Sequence, residues 1–381
     1  MKEGVNTLER FAKGTGIVCE YNPFHKGHAF QIESVKQMGA DFVVCAMSGD
    51  FTQRGEPAFQ DKFVRAQNAV MNGADIVLEI PFPFSSLSAE GFARAGIYIL
   101  ENSGLCTSFA FGSECADVEK LSAIADILDK NFHKQVIELQ KNEPSMSYAS
   151  AREDLISQKL GSEFSDIIKK PNDILAVEYL KANKKLVPIA VKRSTPRGGY
   201  DENFASSSYI RKNLFGADEG LAKRGLPDNC SFDEIYSDNS MFYTFMLLSL
   251  CAKEANQLEG IAEIQKGCEH SIIKNARVSQ NYIELCQRLA SKTLTDAKIR
   301  RMLLFSLLGV TKEMALDVPC YTQVLATSEK GRKMLKKYAE DRKIIVASRA
   351  SHIKTDDKAK KQYDFARFAS EVVNKCRTVT P

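Results

Sequence analysis

His25 and His28 stand three residues apart in the string GIVCEYNPFHKGH, residues 16–28, a spacing that puts two imidazoles on one side of a helix N-terminus. An apolar run ends at Tyr21, Asn22-Pro23-Phe24 turns the chain, and a helix begins around Gly27. Free backbone N–H groups and the positive end of a helix favour a phosphate at such a place, and Gly27 lets the backbone come close. Two imidazoles aimed at phosphoryl oxygens would stabilise the charge that develops on a pentacoordinate phosphorus, without a covalent enzyme intermediate. The chemistry this suggests is cleavage of a nucleoside triphosphate at its α-phosphate. The plain alternative is a histidine pair with no phosphate to bind, since HxGH is a short pattern.

A second group of candidates is Ser206-Ser207-Ser208-Tyr209-Ile210-Arg211. Serines at a helix start cap it or hold an anion, and Arg211 follows one turn inside. Alone, the string reads as an N-cap; on the same sheet edge as HxGH it reads as a site for the β- and γ-phosphates. A dinucleotide-binding unit would need GxGxxG after the first strand, and an NTPase would need a Walker A string; neither is present. The loop Met47 to Pro57 is long and polar, as a substrate loop is, with Gln53 and Arg54 its candidate substrate contacts. Its plainer reading is a surface loop with an Arg54–Glu56 pair.

The elements that must position these residues are short apolar runs at Ile17–Tyr21, Phe42–Met47, Asp75–Ile80, Ser108–Phe111 and Leu186–Lys192. Helix-period segments at about 27–39, 59–72, 86–102 and 117–131 separate them, so the expected fold is α/β: a Rossmann-like, five-stranded parallel sheet. Strands such as FVVCAM and DIVLEI are apolar nearly throughout, as both-face burial requires. A polar helical insertion is expected over about 132–170, closed by Pro171 and packed beside the sheet. Past about Ala217 the strand pattern stops and helical periodicity takes over. The expected organisation is a catalytic domain over 1–220 and a mainly α-helical domain over 221–381, with the turn Gly225–Asn229 at the boundary.

The chain has 381 residues, 44% of them hydrophobic, enough to bury a large core. Its 10 cysteines form no CxxC pair and no zinc-ligand spacing, which points to a reducing, cytoplasmic location. Met1–Gly14 reads as a short polar lead-in, and the most apolar later run, Met241–Ala252, is too short to span a bilayer. The net charge of +4 divides unevenly: residues 1–220 hold 25 Lys+Arg against 29 Asp+Glu, and 221–381 hold 52 − 25 = 27 against 48 − 29 = 19. The second part is therefore net +8, which suggests a polyanionic partner, with a solvated helix face as the plain alternative.

HxGH with a later SSSxIR stretch is the signature of the nucleotidyltransferase superfamily, of the HUP type. The longer strings EYNPFHKGH, MSGDFTQRGEPA, DIVLEIPF, FAFGSE, KKPNDILAVEY and KR…GGYDE…ASSSYIR together resemble the bacterial tRNA(Met) cytidine acetate ligase family. The resemblance runs from about Gly16 to Lys212 and more loosely through Leu294–Gly309 and Tyr321–Lys337. It implies a cytoplasmic enzyme in which acetate attacks the α-phosphorus of ATP to give acetyl-adenylate. N4 of the wobble cytidine of elongator tRNA(Met) then takes the acetyl group. By motif matching, Glu20, Tyr21, Asn22, Pro23, Phe24, His25, Lys26, Gly27 and His28 would cradle ATP. Gly112 and Asn172 would line the nucleoside pocket, and Arg193, Ser207, Ser208 and Arg211 would face the phosphates. Asn172 could equally be a helix N-cap. Arg300, Arg301, Lys333, Lys336 and Lys337 are the candidates for tRNA contacts. Magnesium is expected with the polyphosphate, although no metal ligand can be named. The chain departs from the family at Lys292-Thr293-Leu294-Thr295-Asp296 and at Gln323, where an arginine is usual. Two other readings fit the same residues: a small-molecule adenylyltransferase of the superfamily, and a nonenzymatic RNA-binding protein with a vestigial nucleotide fold.

Overall fold

The computed structural model describes residues 13–128, 130–143, 146–193, 205–214, 219–231, 233, 235–291 and 294–379. The GGYDE string and the Lys292-Thr293 departure lie outside the described residues. The first strands and crossovers are β1 (Gly14–Cys19), α1 (Lys26–Gln37), β2 (Val43–Ser48), α2 (Lys62–Met71), β3 (Ile76–Ile80), α3 (Ala89–Asn102) and β4 (Cys106–Ser113). Four helices follow, α4 (Val118–Ile127), α5 (Lys130–Asn142), α6 (Tyr148–Leu160) and α7 (Ser162–Ile167), then α8 (Pro171–Ala182) and β5 (Val187–Lys192). The rest comprises α9 (Ser207–Asn213), α10 (Glu219–Arg224), β6 (Tyr236–Asp238), α11 (Ser240–Cys251), α12 (Cys268–Val278), α13 (Tyr282–Leu289), α14 (Asp296–Leu308) and α15 (Lys312–Leu316). Last come β7 (Tyr321–Thr327), α16 (Glu329–Lys337), β8 (Ile345–Ala347), α17 (Ala350–Ile353), α18 (Asp357–Cys376) and β9 (Thr378–Val379).

Helix starts are set by caps, which is why the second and third crossovers begin later than periodicity alone predicts. The Asp61 carboxylate accepts from Phe63 N at 2.7 Å and starts α2, and Ser88 accepts from Gly91 N to start α3. Pro171 occupies the first turn of α8, where its missing N–H costs nothing.

The main sheet has seven strands in the order β5-β4-β1-β2-β3-β7-β8. This corrects the five-strand expectation. The first five are parallel, as expected, but β7 pairs antiparallel to β3, with Ile76 opposite Thr327 and Leu78 opposite Val324, and β8 pairs parallel to β7. The strand pattern thus resumes well after Ala217. An antiparallel strand needs no crossover helix from its partner, and the β3–β7 pairing spans some 250 residues of chain, so no local signal announces it. β6 and β9 form a separate two-stranded ribbon.

Alternation along the central strands sorts side chains to two faces. Val43, Cys45 and Met47 meet Ile32 and Val35 of α1 and Ala66 and Ala69 of α2. Val44 and Ala46 face the larger core, with Ile97 and Leu100 of α3. That larger core continues into the C-terminal helices: Phe51 lies 6.0 Å from Phe242, and Phe82 lies 6.3 Å from Phe305 and 5.8 Å from Phe365, centroid to centroid.

The loop after β2 is held against α14 at one glycine. Gly55 has φ +73°, and a Cβ there would lie 2.7 Å from the backbone nitrogen of Arg301. Gly55→Ala should therefore cost about 2 kcal/mol or more of folding stability, from a left-handed backbone and a backbone clash together. Urea unfolding reads this directly, and an unchanged midpoint would contradict the tight seating of the loop on α14.

Candidate active site

The strand order reverses between β1 and β4: the chain runs outward from β1 through β2 and β3, then returns to the other side for β4 and β5. At such a switch the connections leave toward opposite faces and open a crevice at the strand C-terminal ends. A cavity of about 320 Å³ occupies this crevice. Glu20, Tyr21, Asn22 and His28 line it from the β1–α1 turn, Gly112 from β4, Asn172 from α8, Arg193 from the end of β5, and Ser207 and Arg211 from α9. Gln53 and Arg54 enter from the loop after β2. One wall is apolar, built by Phe92, Phe111, Ile174, Leu175 and Tyr179. A smaller recess adjoins it, lined by His25, Gly27, His28, Gly112 and Arg193. Residues from seven parts of the sequence therefore meet at the C-terminal end of the sheet.

The two imidazoles stack with centroids 3.6 Å apart and planes 18° off parallel. The His25 backbone N–H donates to His28 Nδ1 at 3.3 Å, which leaves Nε2 as the protonated nitrogen of a neutral His28 ring. Tyr21 and Phe24 hold the pair, with the Tyr21 ring 4.7 Å and the Phe24 ring 5.6 Å from that of His28. His25 is 3% exposed, and its Nδ1 is buried without a hydrogen-bond partner. Burial, aided by the charges of Arg193 and Arg211, lowers its pKa from 6.5 to about 3. Burial, then His25 and Arg193, pushes His28 well below its usual value. At neutral pH both rings are uncharged hydrogen-bonding groups.

The helix end is less open than its sequence suggests. Lys26 N–H donates to Gly225 O at 2.9 Å and His28 N–H to His25 O at 2.8 Å, so Gly27 alone of these three keeps a free N–H among the described residues. Pro23, Phe24 and Lys26 line neither cavity. Ser208 also lies outside both, its hydroxyl 3.5 Å from Arg211 Nη2.

Asn172 is no N-cap, because Lys170 holds that position and Asn172 lies in the first turn. Its amide donates to Glu114 Oε1 at 2.7 Å and accepts from Arg193 Nη1 at 3.1 Å. Gly112 makes room for the same arginine, since a Cβ would lie 3.2 Å from Arg193 Cγ. The neighbouring Asp173 is fully buried and accepts from Ser113 Oγ, Glu114 N (2.9 Å) and Cys115 N, which fixes the end of β4. Arg211 donates to Asn22 O and ties α9 to the turn before His25. Glu20 accepts from Gln53 N at 2.6 Å, linking the β1 end to the loop after β2. Arg54 reaches the cavity with no ion-pair partner among the described residues, and Glu56 pairs instead with Arg300 of α14.

Sequence reasoning missed Glu114, Asp173 and Arg65. The first two sit inside FAFGSE and KKPND, strings already singled out. Arg65 is 0% exposed; its guanidinium donates to the carbonyls of Gln60, Glu20 (2.6 Å), Ser48 (3.2 Å) and Gly49. It therefore clasps the C-terminal ends of β1 and β2. Of the RNA-contact candidates, Lys333, Lys336 and Lys337 lie on exposed α16, and Arg300 is held by Glu56. Arg301 is 7% exposed and turned onto Glu263 at 3.2 Å, so it presents no surface to a polyanion.

An apolar wall facing a cluster of neutral imidazoles and guanidinium groups is the plan of a site for a nucleotide with its phosphates, and the wider class is confirmed by comparison. A model of the HIGH nucleotidyl transferases matches residues 12–378. The chain is 33% identical to the tRNA(Met) cytidine acetate ligase of Thermoanaerobacter pseudethanolicus, across 94% of each chain, and 34% identical to that of Caldanaerobacter subterraneus subsp. tengcongensis, again across 94% of each. The crystal structure of Thermotoga maritima TmcAL bound with α-thio ATP matches with a TM-score of 0.85 at 28% identity, covering 96% of this chain and 94% of that one. The chain belongs to the tRNA(Met) cytidine acetate ligase family of HIGH nucleotidyl transferases.

The depressed pKa of His25 carries a stability signature. Its folded pKa lies below the unfolded value, so the unfolded chain binds the extra proton between pH 6.5 and about 3, and stability falls as pH drops through that window. His25→Asn should remove about 1.4 kcal/mol of that fall per pH unit below 6.5, measured as the wild-type minus variant difference in urea-unfolding free energy at pH 7.5 and 5.5. Parallel curves would mean that His25 is not held neutral in the fold.

Proposed function

We propose that this protein is an ATP-dependent ligase that activates acetate as acetyl-adenylate and acetylates N4 of the wobble cytidine of elongator tRNA(Met). The observation that carries the reading is the convergence of His25, His28, Arg193, Ser207 and Arg211 at the polar end of an apolar-walled cavity in the β1/β4 crevice. Support comes from the names of the relatives and from the α-thio-ATP-bound neighbour.

In this reading the base lies against Phe111, Leu175 and Tyr179, and Asn172 and Gly112 border the nucleoside. The polyphosphate runs toward Arg193, Ser207 and Arg211. A carboxylate oxygen of acetate attacks the α-phosphorus, the bond to the β-phosphate breaks, and pyrophosphate leaves. His28 Nε2–H, His25 and the Gly27 N–H meet charge developing on the α-phosphoryl oxygens; neutral rings serve as fixed donors without gaining or losing a proton. The cytidine N4 lone pair then attacks the acetyl carbonyl, AMP departs, and N4 gives up a proton. Arg54, which lines the cavity and has no ion-pair partner among the described residues, would hold the acetate carboxylate or the RNA. Magnesium would travel with the polyphosphate: among the described residues no three His, Cys, Asp or Glu side chains converge to hold it. Residues 1–220 supply the chemistry in this scheme, and 221–381, net +8, supply the RNA-binding face, with Lys333, Lys336 and Lys337 on α16 contributing. The protein would work in the cytoplasm; no described helix is long and apolar enough to cross a membrane.

Incubation with ATP, magnesium, isotope-labelled acetate and bulk tRNA should yield labelled N4-acetylcytidine by nucleoside mass spectrometry. His28→Ala should lower that yield at least about 100-fold, the usual cost of removing a transition-state donor. A wild type that labels no cytidine would defeat the proposal, and an unaffected His28→Ala would defeat the site assignment.

A further inference from the structure

A second cavity, remote from the active site, lies between the outer part of β7 and α16. It is open, about 550 Å³ in volume, and floored by Val324, Leu325, Ala326 and Thr327. Three cations, Arg332, Lys336 and Arg342, line it together with Ser348, and no carboxylate does. Arg332 and Lys336 are exposed and one helical turn apart on α16, about 6 Å along its axis. Arg342 is half-buried and anchored to the Leu335 carbonyl, which fixes its guanidinium at the wall. Lys330 is paired with Asp41 and Lys333 with Glu329, whereas none of these three has an ion-pair partner among the described residues. The edge of β7 is open at this point, because β8 pairs only with Tyr321–Gln323.

We infer that this groove binds the sugar-phosphate backbone of the tRNA substrate, away from the nucleotide being modified. The inference rests on the proposed function, which supplies a polyanion much larger than the cavity. Unopposed cations set in a concave surface concentrate the field that attracts such a strand, and guanidinium and ammonium groups neutralise its phosphates. Distance sets the division of labour. β7 is three strands from β1, about 14 Å at the usual strand spacing, and the floor lies two to four residues back from the C-terminal end of β3. The groove is thus roughly 15–20 Å from the imidazoles, within the span of one RNA helix but out of reach of the reacting base. It contributes affinity and alignment, not chemistry. Lys336 lines the groove, and Lys333, paired with Glu329, lies outside it.

The test is binding of the unmodified tRNA to the full chain, followed by fluorescence anisotropy across a series of salt concentrations. The Arg332→Gln, Lys336→Gln double variant should raise Kd on the order of tenfold and lower the slope of log K against log salt by about 1.5, at about 0.7–0.9 per phosphate contact. Arg342→Gln should lower the slope by somewhat under 1, and acetate-dependent ATP–pyrophosphate exchange should stay at the wild-type rate in both, which also reports that they fold. A Kd and slope equal to wild type would overturn the groove. A wild type that binds tRNA but acetylates nothing would remove the proposed function yet leave the groove standing if the variants bind more weakly. An equal loss of affinity for a DNA duplex of matched length would replace the assignment with a general polyanion groove.

Discussion

Parallel strands whose crossovers leave to opposite faces must part at their C-terminal ends, and the gap between β1 and β4 is the constraint from which the site follows. A gap is useful only if its rims are held. On the β1 and β2 side the fully buried Arg65 guanidinium gathers the carbonyls of Glu20, Ser48 and Gly49, groups that would otherwise be buried without donors. On the β4 side the Asp173 carboxylate gathers Ser113 Oγ and two backbone N–H groups. Both residues lie outside the cavity lining and hold the turns that border it.

The loop after β2 is fixed from the other direction. Asp50 and Glu79 share Lys62, at 3.1 and 2.8 Å, and Asp50 also accepts from Ser370 of α18. Arg377, beyond α18, stacks on Tyr236 at 3.5 Å and donates to Ala58 O. With Glu56 on Arg300 and Gly55 against Arg301, the C-terminal helices form the outer wall of the loop that presents Gln53 and Arg54. The basic half of the chain is therefore part of the active-site scaffold as well as the face proposed for RNA. Arg300 and Arg301, read in sequence as candidates for RNA contacts, are both engaged within the fold, one with a loop carboxylate and the other with Glu263.

Much of the site was legible because its parts obey local rules. Strand, turn and helix around His25 and His28 follow from an apolar run, a proline and a glycine, and the five parallel strands follow from apolar runs set between helical periods. What stayed hidden was long-range. β7 joins the sheet antiparallel to β3, a partner some 250 residues earlier, and no periodicity encodes that. The neutrality of the histidines depends on burial and on Arg193 and Arg211, all brought close only by folding. The place of Asn172 was open in sequence because a helix start and a ligand contact use the same residue type; Lys170 takes the N-cap position, and Asn172 bonds Glu114 and Arg193 instead. Arg65 gave no signal, since an arginine in an amphipathic helix ordinarily reads as solvated.

We propose that this crevice activates a carboxylic acid at the α-phosphate of ATP. Isotope exchange between pyrophosphate and ATP, run without tRNA in the presence and absence of acetate, reads that step alone. Exchange should depend on acetate, because acetyl-adenylate must form reversibly before any acceptor arrives. Exchange that proceeds equally without acetate, or none with both substrates saturating, would contradict it.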